Sequence, residues 1–211
     1  MTIKLFHHPF SRAAGTVWQL EELGQPYELE FIDVMKGDHK KPEFKTVNPM
    51  GKIPTIVDGD AVVTEAAAIG IYLADRYSSG TLAPKLDDPR RGTYLRWSFY
   101  APSVIEPGSY AHSAKWEFKP SAAGWGTYDE MMKTIDSAVI DREWLLGDQF
   151  TMADVIFGDT LRYMTMFKML EASPPVAKYL ARLSERPALK RADEINTRVM
   201  TEHGLKLPGQ S

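Results

Sequence analysis

The hydrophobic pattern changes character about a third of the way along the chain. Up to Tyr77, short apolar runs alternate with turn signals, the pattern of strands and helices in succession. Ile3 to Phe6 reads as a strand. Arg12 to Leu23 reads as a helix, with Ala13, Ala14, Val17, Leu20 and Leu23 on one face and Gly24 as its stop. Tyr27 to Ile32 alternates as a second strand, and the charged stretch Lys36 to Asn48 reads as a loop with a short helix near Glu43 and Phe44. Pro54 opens the β-branched run Thr55-Ile56-Val57, where a residue that cannot donate to a ladder is tolerated. Asp58-Gly59 is a hairpin signal, and Ala61-Val62-Val63 is the returning strand. From Glu65 onward, Ala68, Ile69, Tyr72, Leu73 and Tyr77 recur at helical spacing. This order predicts a small four-stranded mixed sheet with helices packed on it.

Beyond Tyr77 the period is helical throughout. Ser78-Ser79-Gly80 and Pro84 to Pro89 carry turn chemistry and read as a linker. A helix is expected over Arg90 to Tyr100, with Pro102, Pro107 and Gly108 interrupting or kinking the path after it, and Pro120 to Gly126 is expected as a loop. Tyr128 to Leu146 is amphipathic, with Met131, Met132, Ile135, Val139 and Leu146 apolar and Gly147 as its close. Thr151-Met152-Ala153-Asp154 has the spacing of a capping box with Asp in place of Glu. The helix behind it, Val155 to Leu170, is apolar nearly all round and is expected at the centre of a helical domain. Ser173 and Pro174 start another helix, Pro187 ends it, and a last helix runs to about His203-Gly204.

Composition narrows the chemistry. With 211 residues, 44% hydrophobic and 11% aromatic, the chain suits one large domain or two small ones with a sizeable core. A net charge of −3 gives no reason to expect nucleic-acid or membrane partners. The absence of cysteine removes disulfides, thiolate metal sites and a protein-borne catalytic thiol. The opening MTIKLFHHPF lacks the apolar core of a signal peptide and no run approaches membrane-spanning length, so a cytoplasmic location is the expectation.

The block NPMGKIPT, the VDGD turn and the helix start TEAAAIGIYLADRY, together with the Thr151 box, resemble the glutathione transferase family, in its serine-type, theta-like bacterial or fungal kind. The resemblance runs from KLFHHP to RPALKRAD. It implies a thioredoxin-like glutathione-binding domain over residues 1–79, a linker over 80–89 and an all-helical domain over 90–211. It also implies a cis bond before Pro54, which would turn the backbone of Ile53 towards a peptide ligand. The implied activity is to bind glutathione as co-substrate and activate its thiol for attack on a small apolar electrophile, or for peroxidase, isomerase or dehalogenase chemistry. A homodimer is implied as well. No metal is expected, because no further ligand has spacing that would join His7 or His8 in a site.

Ser11 lies between the first strand and the first helix, beside a positive helix end. The resemblance gives it the role of donating to the glutathione sulfur; a helix cap is the other reading. His7 and His8 are rivals for the thiol, although neighbours on a strand face opposite ways. Glu65 would pair with the γ-glutamyl ammonium, and an acid at a helix start is favourable in any case. The family commonly has Ser or Thr at the next position; Ala66 leaves only its N–H for the γ-glutamyl carboxylate. His39 and Lys52 match positions that meet the glycyl carboxylate. Phe10, Trp97, Tyr100, Tyr110 and Trp116 are the candidates to wall the electrophile pocket, though aromatics at helical spacing are more often core. The same fold could serve instead as a non-catalytic ligand carrier or regulatory protein.

Overall fold

The computed structural model describes residues 2–206. Four strands form one sheet: β1 (Ile3–His7), β2 (Tyr27–Phe31), β3 (Thr55–Asp58) and β4 (Ala61–Thr64), in the order β2-β1-β3-β4. β1 and β2 are parallel, and β1 with β3 and β3 with β4 are antiparallel, so the sheet is mixed as expected. β1 is apolar almost throughout because both its faces are covered, whereas edge strand β2 exposes Glu28 and Glu30. On one face Phe6 meets Phe44 edge-on at 5.2 Å, with Ile32 beside them. Phe44 belongs to α2 (Pro42–Val47), the short helix expected in the charged loop. The opposite face carries α1 (Ala13–Leu23), closed by Gly24 at φ 69°.

By packing, residues Gly70–Glu185 form one unit, and the last helix groups with the sheet in the other. α3 (Ala66–Tyr77) follows β4 directly. In the helical unit, α4 (Arg91–Tyr100) does not break at Pro102. Five residues, Ala101–Ile105, form a wider π turn that leads into α5 (Glu106–Ser113), so the helical path continues past a residue with no N–H to give. Tyr94 is fully buried under the guanidinium of Arg91, which is held by Asp75 at 2.5 and 2.6 Å.

α6 is shorter than its pattern suggests. It spans Tyr128–Val139, starting from a Thr127–Glu130 capping box, rather than running to Leu146. The residues after it are claimed elsewhere: the Leu145 N–H donates to the Asp154 carboxylate at 2.8 Å, and Trp144 and Gly147 exchange backbone bonds. α7 (Met152–Met166) is buried along most of its length, as its composition requires. Thr151 and Asp154 form the expected box, with the Thr151 N–H on the carboxylate at 2.9 Å. α8 (Pro174–Ser184) begins at its Ser173 cap, and α9 spans Pro187–Glu202. Among the described residues no helix is long and apolar enough to cross a membrane.

Candidate active site at one end of the sheet

Strand register brings the sequence candidates of the sheet unit to one edge. Phe6 pairs with Thr55 and Thr55 with Thr64. The turn after β1, the residues before β3 and the residues after β4 therefore share one end of the sheet. These are Ser11, Ile53-Pro54 and Glu65-Ala66 respectively. Strands lie about 4.8 Å apart, so β1 and β4 are separated by about 10 Å, the reach of an extended tripeptide.

The Ile53-Pro54 bond is cis, as the family resemblance implied. Neither the N–H nor the C=O of Ile53 bonds another backbone group among the described residues, while its side chain packs on the Phe6–Phe44 cluster. Asn48, the first residue of NPMGK, organises this loop. Its amide nitrogen donates to the Lys52 carbonyl at 2.9 Å and to the Thr55 hydroxyl at 3.1 Å, and its oxygen accepts the Met50 N–H at 3.1 Å. Gly51 has φ 61°, and a Cβ there would lie 2.6 Å from the His39 carbonyl, so only glycine fits. Lys40 fastens the same loop through the Gly51 carbonyl at 3.0 Å. His39 lies on the adjoining turn with a buried Nδ1 that has no hydrogen-bond partner among the described residues; burial, then Lys40 and Lys52, hold its pKa below the ordinary value. Lys52 is exposed.

Glu65 is exposed and adopts φ 67°, a region that a residue with a side chain occupies only at a cost of about 1–3 kcal/mol. Strain of this kind collects at ligand clamps. Gln19, buried in α1 and not singled out by the sequence, donates to the Ala66 carbonyl at 3.0 Å and so fixes the first turn of α3. The Ala66 side chain brings no hydroxyl, and the amides of this helix start are the groups that can meet an anion.

The Ser11 hydroxyl donates to the His8 carbonyl at 2.7 Å and accepts the Ala13 N–H at 3.1 Å. The same His8 carbonyl also accepts the Ser11 N–H at 3.1 Å. His7 and His8 are both buried. His7 bonds Asn196 at 2.7 Å, and burial lowers its pKa to about 4. The His8 ring accepts the Phe10 N–H at 3.1 Å and packs against Phe10 and Phe31, and burial lowers its pKa too. Both rings are therefore neutral near pH 7. Phe10 is half-buried in the same turn.

The remaining aromatic candidates belong to the helical unit. Trp97 is only 3% exposed and packs edge-on to Phe157 and Tyr100, so it is core there. Tyr100 is half-buried, Tyr110 is 36% exposed and Trp116 is 56% exposed.

Known proteins resemble this chain over most of its length. Residues 1–75 match the glutathione S-transferase N-terminal domain and residues 126–191 the C-terminal domain. The chain is 30% identical over 206 residues to glutathione S-transferase APIC of Nicotiana tabacum, covering 89% of this chain and 95% of that protein. It belongs to the glutathione S-transferase family. Within the family it is similar to human glutathione S-transferase theta-2, at 29% identity over 87% of this chain and 81% of that protein. Among solved structures, the Phanerochaete chrysosporium glutathione transferase URE2P6 in complex with oxidized glutathione aligns with a TM-score of 0.78 and 29% identity, over 94% of this chain and 97% of that one.

Proposed function

We propose that this glutathione transferase binds glutathione in extended form across the end of its sheet and holds the thiol as thiolate beside Ser11, for attack on a small apolar electrophile. The free backbone of Ile53 carries the reading: a peptide lying along it gains main-chain bonds as an added strand. Glu65 would meet the γ-glutamyl ammonium, the Ala66 N–H its carboxylate, and His39 and Lys52 the glycyl carboxylate. Tyr100, Tyr110 and Trp116, with Trp97 behind Tyr100, are proposed for the electrophile, as is Phe10. The working division is a glutathione-binding domain over 1–79, a linker over 80–89 and a helical domain over 90–211. A two-fold homodimer through α3 and α4 completes the reading, supported by the exposed Phe99 on α4. A monomer in sedimentation at micromolar concentration would count against that last element. The proposed location is the cytoplasm.

A free thiol has a pKa of about 8.5, so activation at neutral pH needs a fall of about two units, or about 2.7 kcal/mol. A hydroxyl donor and the positive start of α1 supply stabilisation of that order. To donate to sulfur, the Ser11 hydroxyl must leave the His8 carbonyl. That carbonyl still keeps the Ser11 N–H, so the rotation orphans no acceptor.

Ser11→Ala tests the proposal. Loss of a bond to a charged acceptor is expected to raise the bound thiol pKa and cut thiolate-dependent turnover about 10- to 100-fold, with a smaller change in glutathione affinity. A pH titration of thiolate absorbance reads it. The bond that the Ser11 hydroxyl accepts from the Ala13 N–H favours a second reading, a ligand-binding or regulatory protein in which Ser11 is only a cap. In that case the mutation lowers the melting temperature and leaves the thiol pKa alone.

A further inference from the structure

The turn that carries Ser11 is gripped on both sides by one residue of α9. The Asn196 amide nitrogen donates to the Ala14 carbonyl, at 3.2 Å, in the first turn of α1. A carbonyl only accepts, so this bond fixes which way the Asn196 amide points. Its oxygen then faces His7 Nε2 at 2.7 Å, and that nitrogen must be the ring's N–H. His7 is the last residue of β1 and Ala14 the second of α1, so Asn196 spans the two ends of residues 8–13. His7 is wholly buried and, among the described residues, its Nδ1 has no hydrogen-bond partner, which leaves Asn196 as the group that sets the ring.

α9 is itself held in register for this task. Arg186 pairs with Glu22 at 2.5 and 2.7 Å, and Glu22 also accepts the Trp18 indole N–H at 2.9 Å. Arg191 pairs with Glu21 at 2.6 Å. Three contacts therefore run antiparallel along α1 and α9, and the Asn196 contact is the one nearest Ser11.

We propose that Asn196 is a positioning residue for the Ser11–thiolate bond: through His7 and Ala14 it fixes the turn that aims the Ser11 hydroxyl. This rests on the reading of Ser11 given above. The bond Asn196 controls is worth having only at the right geometry, since the Ser11 hydroxyl has a competing acceptor in its own turn, the His8 carbonyl. A loosened turn lets the hydroxyl stay on that carbonyl and lose the sulfur.

The test is Asn196→Ala in the full-length protein, read by the thiolate titration of bound glutathione and by steady-state kinetics. The expected result is a thiol pKa higher by about half a unit to one unit and a kcat about three- to ten-fold lower near pH 7, with the KM for glutathione within about two-fold. A helix that merely loses stability lowers the melting temperature without that split. In Ser11→Ala background the Asn196→Ala change is expected to add nothing to the thiol pKa, because both act through one bond. His7→Gln, which keeps an N–H at the reach of Nε2, is expected to hold the thiol pKa nearer wild type than His7→Asn, whose amide is too short. If Ser11→Ala shifts the thiol pKa and Asn196→Ala does not, the positioning role is lost and the Ser11 reading stands. If Ser11→Ala itself leaves the thiol pKa unmoved, both fall.

Discussion

Two buried polar centres hold helix starts in this protein, one in each unit, and they are built in opposite ways. In the helical unit Asp154 accepts from the N–H groups of Thr151 and Leu145 and from the hydroxyls of Thr151 and Tyr179. Three of those partners lie on nearby stretches of chain and every carboxylate oxygen is used. In the sheet unit the His7 ring bonds Asn196, 189 residues away, and among the described residues its other ring nitrogen is unpaired. Burial shifts both, in opposite senses: the Asp154 carboxyl is raised to about 6 and the His7 imidazole lowered to about 4. The saturated, local centre belongs to the helix that organises the core. The sparse, long-range one belongs to the turn proposed to carry the chemistry. A turn that must let a hydroxyl change partners is better braced at its ends than saturated at its middle.

The sharpest way to break the comparison is Asp154→Ala. It strands two backbone N–H groups and the buried Tyr179 hydroxyl, and removal of an acceptor from buried donors costs about 1–3 kcal/mol each. A total loss of about 3–5 kcal/mol is expected, or about 10 °C in melting temperature for a chain of this size. A loss under about 1 kcal/mol in a denaturant melt would show that the centre is not the keystone described.

The smaller effect is in the pH dependence. His7 has a folded pKa of about 4 against 6.5 unfolded. The unfolded chain therefore binds more protons in that window, so His7's contribution is complete above pH 6.5 and is lost as pH falls towards 4, about 3 kcal/mol at most. His8, also lowered, adds in the same sense, and His203 is the other charge bearing on both. Asp154 runs the other way: its folded pKa is raised, so its contribution is full below 3.8 and is lost as pH rises through about 6. Melts of wild type and His7→Gln between pH 4 and 7 separate the two, the variant losing less stability on the acid side. Equal slopes would remove His7 from the account.

Much of the fold was legible in the chain because its signals are local. Alternation in Tyr27 to Phe31, the Asp58-Gly59 turn, the Gly24 stop and the Thr151–Asp154 box each lie within a few residues, and each formed. The overlong reading of α6 has an equally physical cause. The apolar period continues to Leu146, but the Leu145 amide is taken by a carboxylate nine residues on, a competition that periodicity does not register.

At the proposed site the sequence by itself determined which residues could act: Ser11, Ile53-Pro54, Glu65 and the missing hydroxyl at Ala66 are readable as residue types in a motif. Only the tertiary structure decided how they are held. The register of three strands puts them at one sheet end, and Asn48, Gln19 and Asn196 lock the three segments in place. Asn48 at least sits in a readable motif; Gln19 and Asn196 carry no local signature, because an amide's partner is chosen by what folding brings within hydrogen-bond reach, and for Asn196 that is a strand and a helix from the other end of the chain.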